Sequence, residues 1–334
     1  MLSVITTIFE PTECVKELSR FHEAYNLGPL IVAGDRKGPL SFDLNNARFL
    51  DIDKQVSLFP EFATTLPTNH YARKNVGYLF AMKEGAECIY ETDDDNRPND
   101  VWKPRSINVE APKIVAADKA WVNVYKYFTE AHIWPRGLPL DFVSAPQPEL
   151  QNHDGKVYAP IQQGLVDNSP DVDAVWRLLF DRPFDFDRSR QHSVLVPPNV
   201  WSPFNTQSTW WWPDAYPLMY IPSHCSFRMC DIWKSFVAQR CLWELGTGVV
   251  YHAPEVIQER NPHDLMKDFA DEVPGYLNNR QIAEYLTGTA LLPGTQNVSA
   301  NLRTCYETLV GKGIFPEQEL TLVNLWCDQI ESLR

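Results

Sequence analysis

Long apolar runs are missing from the 334 residues. None approaches the roughly 20 residues needed to cross a bilayer. The opening stretch from Leu2 to Phe9 is short and has no basic leader, so it does not read as a secretory signal. A soluble, cytoplasmic chain is expected, unless this is a piece of a membrane-anchored parent. Positive charge is scarce as well, with 30 Lys and Arg against 43 Asp and Glu and a net charge of −13. Such a surface repels phosphate backbones and argues against a nucleic-acid partner. It leaves room for a small phosphorylated ligand, because a divalent cation or a few arginines can reverse the field inside one cleft.

Other absences narrow the chemistry. There is no Gly-x-Gly-x-x-Gly, no Walker sequence, no Gly-x-Ser-x-Gly and no His-Glu-x-x-His, which disfavours dehydrogenases, ATPases, serine hydrolases and zinc peptidases. The seven cysteines are odd in number. Cys225 and Cys230 stand too far apart for a zinc knuckle, so buried thiols in a reducing compartment are expected. No internal repeat or low-complexity tract is present.

What is there is an ordinary globular balance, 44% hydrophobic and 22% charged, which is inconsistent with wholesale disorder. Strand-like and helix-like patterns alternate over the first hundred residues. Val4 to Phe9 reads as a strand. Thr12 then caps a helix carrying Val15, Leu18, Phe21 and Tyr25, which Gly28-Pro29 stops. Leu30 to Ala33 and Phe49 to Ile52 read as further strands, and a helix is expected from about Thr68 to Glu84. Glu87 to Thr92 is a strand ending in Asp93-Asp94-Asp95-Asn96. Alternation of this kind implies an α/β fold with a mostly parallel sheet flanked by helices. Ligands bind outside the carboxyl ends of such strands, where the three aspartates fall. Residues from about 97 to 225 are rich in proline and aromatics and read as loops and short strands forming an acceptor-side wall. Met229 to Leu245 is helical, Val249 to His252 a strand, and the chain looks helical from about Pro254, with breaks near Pro274 and Pro293. The expected division is a catalytic domain over 1–255 and a helical extension over 256–334.

Three adjacent carboxylates are costly unless something cationic neutralises them. Hard oxygen ligands suit Mg²⁺ or Mn²⁺, which keep positions free for water and substrate phosphates. Alone, the triplet would be a solvated acidic turn; its place after a strand favours a ligand site. In the preceding helix, Arg73, Lys74 and Asn75 offer groups for a phosphate or a nucleobase edge. Trp210-Trp211-Trp212, with Trp201, could stack a sugar, although such clusters more often form core.

The runs Arg73-Lys74-Asn75-Val76-Gly77-Tyr78 and Ile89-Tyr90-Glu91-Thr92-Asp93-Asp94-Asp95-Asn96 resemble the nucleotide-sugar site of GT-A glycosyltransferases. They are most similar to the STELLO glycosyltransferase-like group. They are more distantly similar to the reversibly glycosylated polypeptides, which act as UDP-arabinopyranose mutases. The resemblance covers about residues 1 to 255 and is strongest around 70 to 96. It implies a GT-A-like, Rossmann-like fold and a metal-dependent transfer of sugar from a nucleoside diphosphate, UDP among the candidates, to a glycan acceptor in polysaccharide biosynthesis. Asp93 and Asp95 would hold Mn²⁺ or Mg²⁺, with Asp93 and Asp94 at the nucleotide. Thr6, Thr7 and Phe9 after the first strand, and Asp35 after the second, would meet the base. Asp231, opening the Met229 helix, stands where inverting enzymes of this fold keep a general base; it is equally a helix cap. Arg228 would counter phosphate charge or pair with a surface acid. His252 could add a third metal ligand, although a lone histidine is more often structural. Asp167 is a minor acceptor-side candidate. A nucleotide-sugar mutase and a non-catalytic GT-A-like scaffold stay open as alternatives, as does a homo-oligomer.

Overall fold

β-Branched residues open the chain. β1 (Leu2–Thr6) and β2 (Leu30–Ala33) are apolar runs without polar alternation, the pattern of strands covered on both faces. They pair in parallel, Val4 beside Ile31. In this computed structural model, which describes residues 1–260 and 264–333, β3 (Ala47–Leu50) joins β2 and β4 (Ile89–Thr92) joins β1, both again parallel. The carboxyl ends of β1, β2 and β4 therefore share one edge.

Helices return the chain between these strands. α1 (Glu13–Ala24) starts where expected, with Thr12 Oγ1 accepting from Val15 N at 3.2 Å. α2 (Ile52–Leu58) and α3 (Pro60–Thr65) follow β3. The helix expected over 68–84 is a 3₁₀ turn, Tyr71–Arg73, leading into α4 (Lys74–Lys83). α4 lies hard against β1: a Cβ on Gly77 would sit 2.6 Å from Val4 Cγ1, so the position is closed to larger residues.

Past Thr92 come β5 (Asn96–Pro98), β6 (Lys113–Val115), β7 (Leu150–Gln151), β8 (Ile161–Asp167), β9 (Val194–Val196), β10 (Ser208–Trp211) and β11 (Val249–Gln258). The main sheet runs β3-β2-β1-β4-β10-β8-β11-β9-β6-β7, with β5 antiparallel on β11. The first four strands are all parallel; β10 then enters antiparallel to β4 and β8. The α/β class, the helix-flanked sheet and the helical C-terminal region are as expected and consistent with a GT-A-like fold.

The middle of the chain is more ordered than its composition suggests. It supplies β8 and β10 at the centre of the sheet, and α5 (Ala174–Phe180). Trp210 and Trp211 are fully buried, Trp212 and Trp201 nearly so, and all four are core rather than a sugar platform. Buried carboxylates take up the indole N–H groups: Trp211 donates to Glu91 at 2.6 Å and Trp210 to Glu255 at 2.7 Å. A Cβ on Gly164 would meet Glu255 Oε1 at 2.2 Å, which explains glycine in the middle of β8.

The C-terminal third differs in two places. β11 continues through residue 255 to Gln258, where a helix was expected from Pro254. α7 (Leu265–Thr287) runs through Pro274, which removes one helical hydrogen bond from a 23-residue helix that packs on α5 and on α6 (Cys230–Trp243). Pro293 does fall in a break, between α7 and α8 (Val298–Gly311). α9 (Gln318–Leu333) then packs on α3 and α4, with Trp326 against Phe62. These helices share one hydrophobic core with the sheet. Among the described residues, no helix is long and apolar enough to cross a membrane.

Candidate functional site

The loops after β1 and β4 meet at the carboxyl edge of the sheet. Thr7 Oγ1 donates to the Asp94 carboxylate, and Thr12 Oγ1 to the Asp94 carbonyl. Burial pushes the Asp94 carboxyl above its ordinary pKa, against the Thr7 hydrogen bond. Asp93 points the other way, into a cleft. Its Oδ1 accepts from Tyr71 OH at 2.5 Å and from the fully buried Lys74 Nζ at 2.8 Å. Asp95 has neutral donors: Gln258 Nε2 at 3.0 Å and Asn96 Nδ2 at 3.4 Å. Burial, with Asp93 and Asp94 alongside, raises its pKa to about 7. Among the described residues Asp95 thus has no cationic side chain bonded to it, and the Asp94 carboxylate has only the Thr7 hydroxyl.

The opposite wall comes from the start of α6. Asp231 is nearly buried and lines the same cleft as Asp93 and Tyr71. Arg136 holds both its oxygens, at 2.9 and 2.8 Å, and turns its other edge to Asp171 at 2.8 Å. Burial raises the Asp231 carboxyl while Arg136 pulls it back. Arg228 lines the cleft with its guanidinium on the buried Glu272 of α7, at 2.8 Å. Phe227 stands 55% exposed at the lip, its ring edge-on to His70 and Tyr71. The cleft is narrow, about 110 Å³. A larger cavity of about 480 Å³ lies away from it, between α1, the segment after β5 and residues 186–191. Asp167 is there, its pKa raised to about 6 by burial. Size alone favours that cavity; the convergence of carboxylates and cations favours the narrow cleft.

The structure therefore gathers Thr7, Asp93, Asp94, Asp95, Arg228 and Asp231 at one edge. It leaves several expected residues outside. Thr6 turns its hydroxyl to the Ala33 carbonyl at 2.8 Å. Phe9 is exposed on the loop, its N–H donating to Thr7 Oγ1 at 3.0 Å. Asp35 is occupied by backbone, accepting from Arg36, Asn69 and His70 N–H groups at 2.7, 2.7 and 2.9 Å. Arg73 is fully buried away from the cleft and ties α2 and α3 to α4 through Gln55 Oε1 (3.0 Å) and the Ala63 carbonyl (2.7 Å). Asn75 pairs with both backbone groups of Ile221, at 2.8 and 2.9 Å. His252 is buried, with Ser193 Oγ at 2.8 Å and Gln162 Oε1 at 2.9 Å on its two ring nitrogens. It precedes Gln258 by six residues along β11, about 20 Å, so it is not brought to the aspartates.

Lys74 lies in the run from Arg73 to Tyr78 that the sequence singles out, and of Arg73, Lys74 and Asn75 it is the one that reaches Asp93. Tyr71, Arg136 and Gln258 are not anticipated as site residues. Successive residues on a helix point about 100° apart, so Arg73, Lys74 and Asn75 cannot all face the cleft. Tyr71 is a turn residue, and Arg136 lies in a loop, far from any motif.

Residues 228–334 match the family model described as STELLO glycosyltransferases. The chain is 30% identical over 306 residues to "Probable glycosyltransferase STELLO2" of Arabidopsis thaliana, a span of 85% of this chain and 38% of that protein. It is also 30% identical over 275 residues to "Probable glycosyltransferase STELLO1" of the same plant, covering 75% of this chain and 34% of that one. The chain is STELLO-like. It spans a little over a third of the length of these curated relatives. In this STELLO-like chain the family match begins at the cleft residue Arg228, while the aspartate triplet lies upstream of it. Both relatives, matched over most of this chain, carry the glycosyltransferase name.

Proposed function

We propose that the chain is a glycosyltransferase that takes a nucleoside diphosphate sugar, with UDP the first candidate, in the cleft between Asp93–Asp95 and Arg228–Asp231, and passes the sugar to a glycan acceptor. The observation that carries this is the unequal state of three adjacent carboxylates. Asp93 has Lys74, Asp94 has Thr7, and among the described residues Asp95 has no cationic partner while its pKa is raised to about 7.

Two carboxylates on one edge fit a hard divalent cation, Mn²⁺ or Mg²⁺. Among the described residues no three of His, Cys, Asp and Glu gather as ligands, so the substrate's phosphates and water would complete the shell. Asp95 and the second oxygen of Asp93 would hold the cation, which supplies charge stabilisation for a departing diphosphate. Lys74 and Tyr71 orient Asp93 through its Oδ1. Phe227 offers the donor or acceptor an exposed aromatic face at the entrance. Asp231 is the carboxylate placed to accept an acceptor proton in an inverting reaction, and it can do so only when one Arg136 nitrogen lets go of it.

Calorimetry with UDP-sugars tests the reading. UDP affinity should rise with Mn²⁺, and Asp95→Ala should abolish the increase. Equal affinity in EDTA would overturn the cation. Ring-isomer formation from the donor alone would point to a mutase, and tight binding without hydrolysis or transfer to a scaffold.

A further inference from the structure

The chain is acidic overall, yet four arginines converge on one small cavity. It measures about 90 Å³ and continues the cleft past Asp93 and Asp231. Arg136, Arg177, Arg228 and Arg260 line it, with Gln207 and Gln258 between them. They come from a loop, α5, the turn before α6 and the segment after β11. Three have carboxylate partners: Arg136 on Asp171 and Asp231, Arg228 on Glu272, and Arg260 on Asp268.

Arg177 is the exception. It is 6% exposed, and among the described residues no carboxylate lies within ion-pair distance of it. One guanidinium nitrogen, Nη2, is held by Ser169 Oγ at 2.8 Å and the Pro170 carbonyl at 2.7 Å. Its ring-face neighbour is Trp176, 5.5 Å from the guanidinium carbon. Burial, together with the positive charges of Arg260 and Arg228, works against its own charge. Asp171, across the cavity, supports the charge only at longer range. Among the described residues this buried guanidinium therefore has no carboxylate in ion-pair contact and faces a polar cavity flanked by two further arginines, an arrangement that suits an anion.

We infer that this cavity is an oxyanion subsite, in which Arg177, supported by Arg228 and Arg260, holds a phosphate or carboxylate of the substrate. The inference rests on the donor reading above and extends it, because the subsite lies beside Asp95, linked to it by Gln258. Two sources carry that chemistry: the outer phosphate of the donor diphosphate, and the carboxylate of an acidic sugar. With Nη2 committed to Ser169 and Pro170, Nε and Nη1 keep the N–H groups that can donate to an oxygen of either.

Calorimetric titration of the full chain with UMP, UDP, UDP-glucose and UDP-glucuronate, in wild type and Arg177→Gln, tests this. If the outer phosphate is the ligand, the substitution weakens UDP and both sugars by about 10- to 100-fold and leaves UMP unchanged. If a sugar carboxylate is the ligand, only UDP-glucuronate loses that factor. Unchanged affinity for all four, or an equal loss for all four, overturns the subsite and leaves the donor reading standing. Failure of wild type to bind any of the four removes both. Arg177→Lys keeps the charge and loses the directed Nε and Nη1 donors, so it replaces the glutamine variant if that one does not fold; the same selective loss is then expected, several-fold in size.

Discussion

Asp95 allows a test that needs no substrate. Its carboxyl is half-buried beside two others, and its pKa rises from an ordinary value of 3.8 to about 7. An unfolded chain releases this proton near pH 4. The folded chain keeps it until about pH 7, so between these values the folded state binds more protons. Stability must therefore fall as pH rises through this window, and the penalty is complete above about pH 7. A shift of roughly three pH units corresponds to about 4 kcal/mol at most, and to about 2 kcal/mol once partial exposure is allowed for. Asp95→Asn removes the charge and keeps an acceptor for Gln258 Nε2. In cation-free buffer at pH 8 the variant should be about 2 kcal/mol more stable than wild type in urea denaturation. At pH 4 the two should converge. Mn²⁺ should reverse the order at pH 8, since only wild type gains from it. A variant no more stable than wild type at pH 8 without metal refutes the reasoning, because Asp95 would then carry no unmet charge.

Two further outcomes follow from buried charges. Lys234 of α6 donates to Glu91 of β4 at 2.7 Å, both side chains essentially without solvent, so Lys234→Met should cost about 3–5 kcal/mol in urea denaturation, and adding Glu91→Gln should recover most of it; a single-variant loss below about 1 kcal/mol would mean the pair is not the tie it resembles. Arg73→Ala leaves Gln55 and the Ala63 and Leu66 carbonyls short of a donor and should cost about 3 kcal/mol of stability, with UDP affinity of the folded protein within about twofold of wild type by calorimetry; a tenfold affinity loss would place Arg73 back at the donor.

The alternating strand and helix pattern was legible in the first hundred residues because local physics decided it there. Val4–Ile5 and Ile31–Val32 are continuous apolar pairs, and Thr12 is a strong cap, so β1, β2 and α1 could be read directly. β8 could not, since Gln162, Gln163 and Gly164 interrupt it and the two glutamine side chains draw on distant partners: Gln163 on Asn205 at 2.7 Å, Gln162 on the Ser106 carbonyl at 2.8 Å. The same split holds at the site. The aspartate triplet announced itself as adjacent like charges. Arg136 matters only because the fold carries it to Asp231, and nothing in its neighbouring residues says so; for Lys74 the surrounding run is legible, but which of its side chains faces Asp93 is not.

That dependence on distant partners also bears on where the function resides. The family match covers 228–334, and those residues alone hold Arg228 and Asp231 but neither Arg136 nor Asp93. Within the matched stretch, Glu272 of α7 positions Arg228. Glu319 of α9, fully buried, accepts from Tyr220 OH at 2.5 Å and from His224 N at 2.8 Å, which fixes the segment leading to Phe227. The C-terminal helices thus set the wall of the cleft that faces the aspartates. They act from behind, through one buried carboxylate each, and cannot be removed without freeing Arg228 and Phe227 together. The aspartates come from the edge of the parallel strands and the opposing wall from α6, backed by α7 and α9, so both halves of the chain are needed to assemble this cleft.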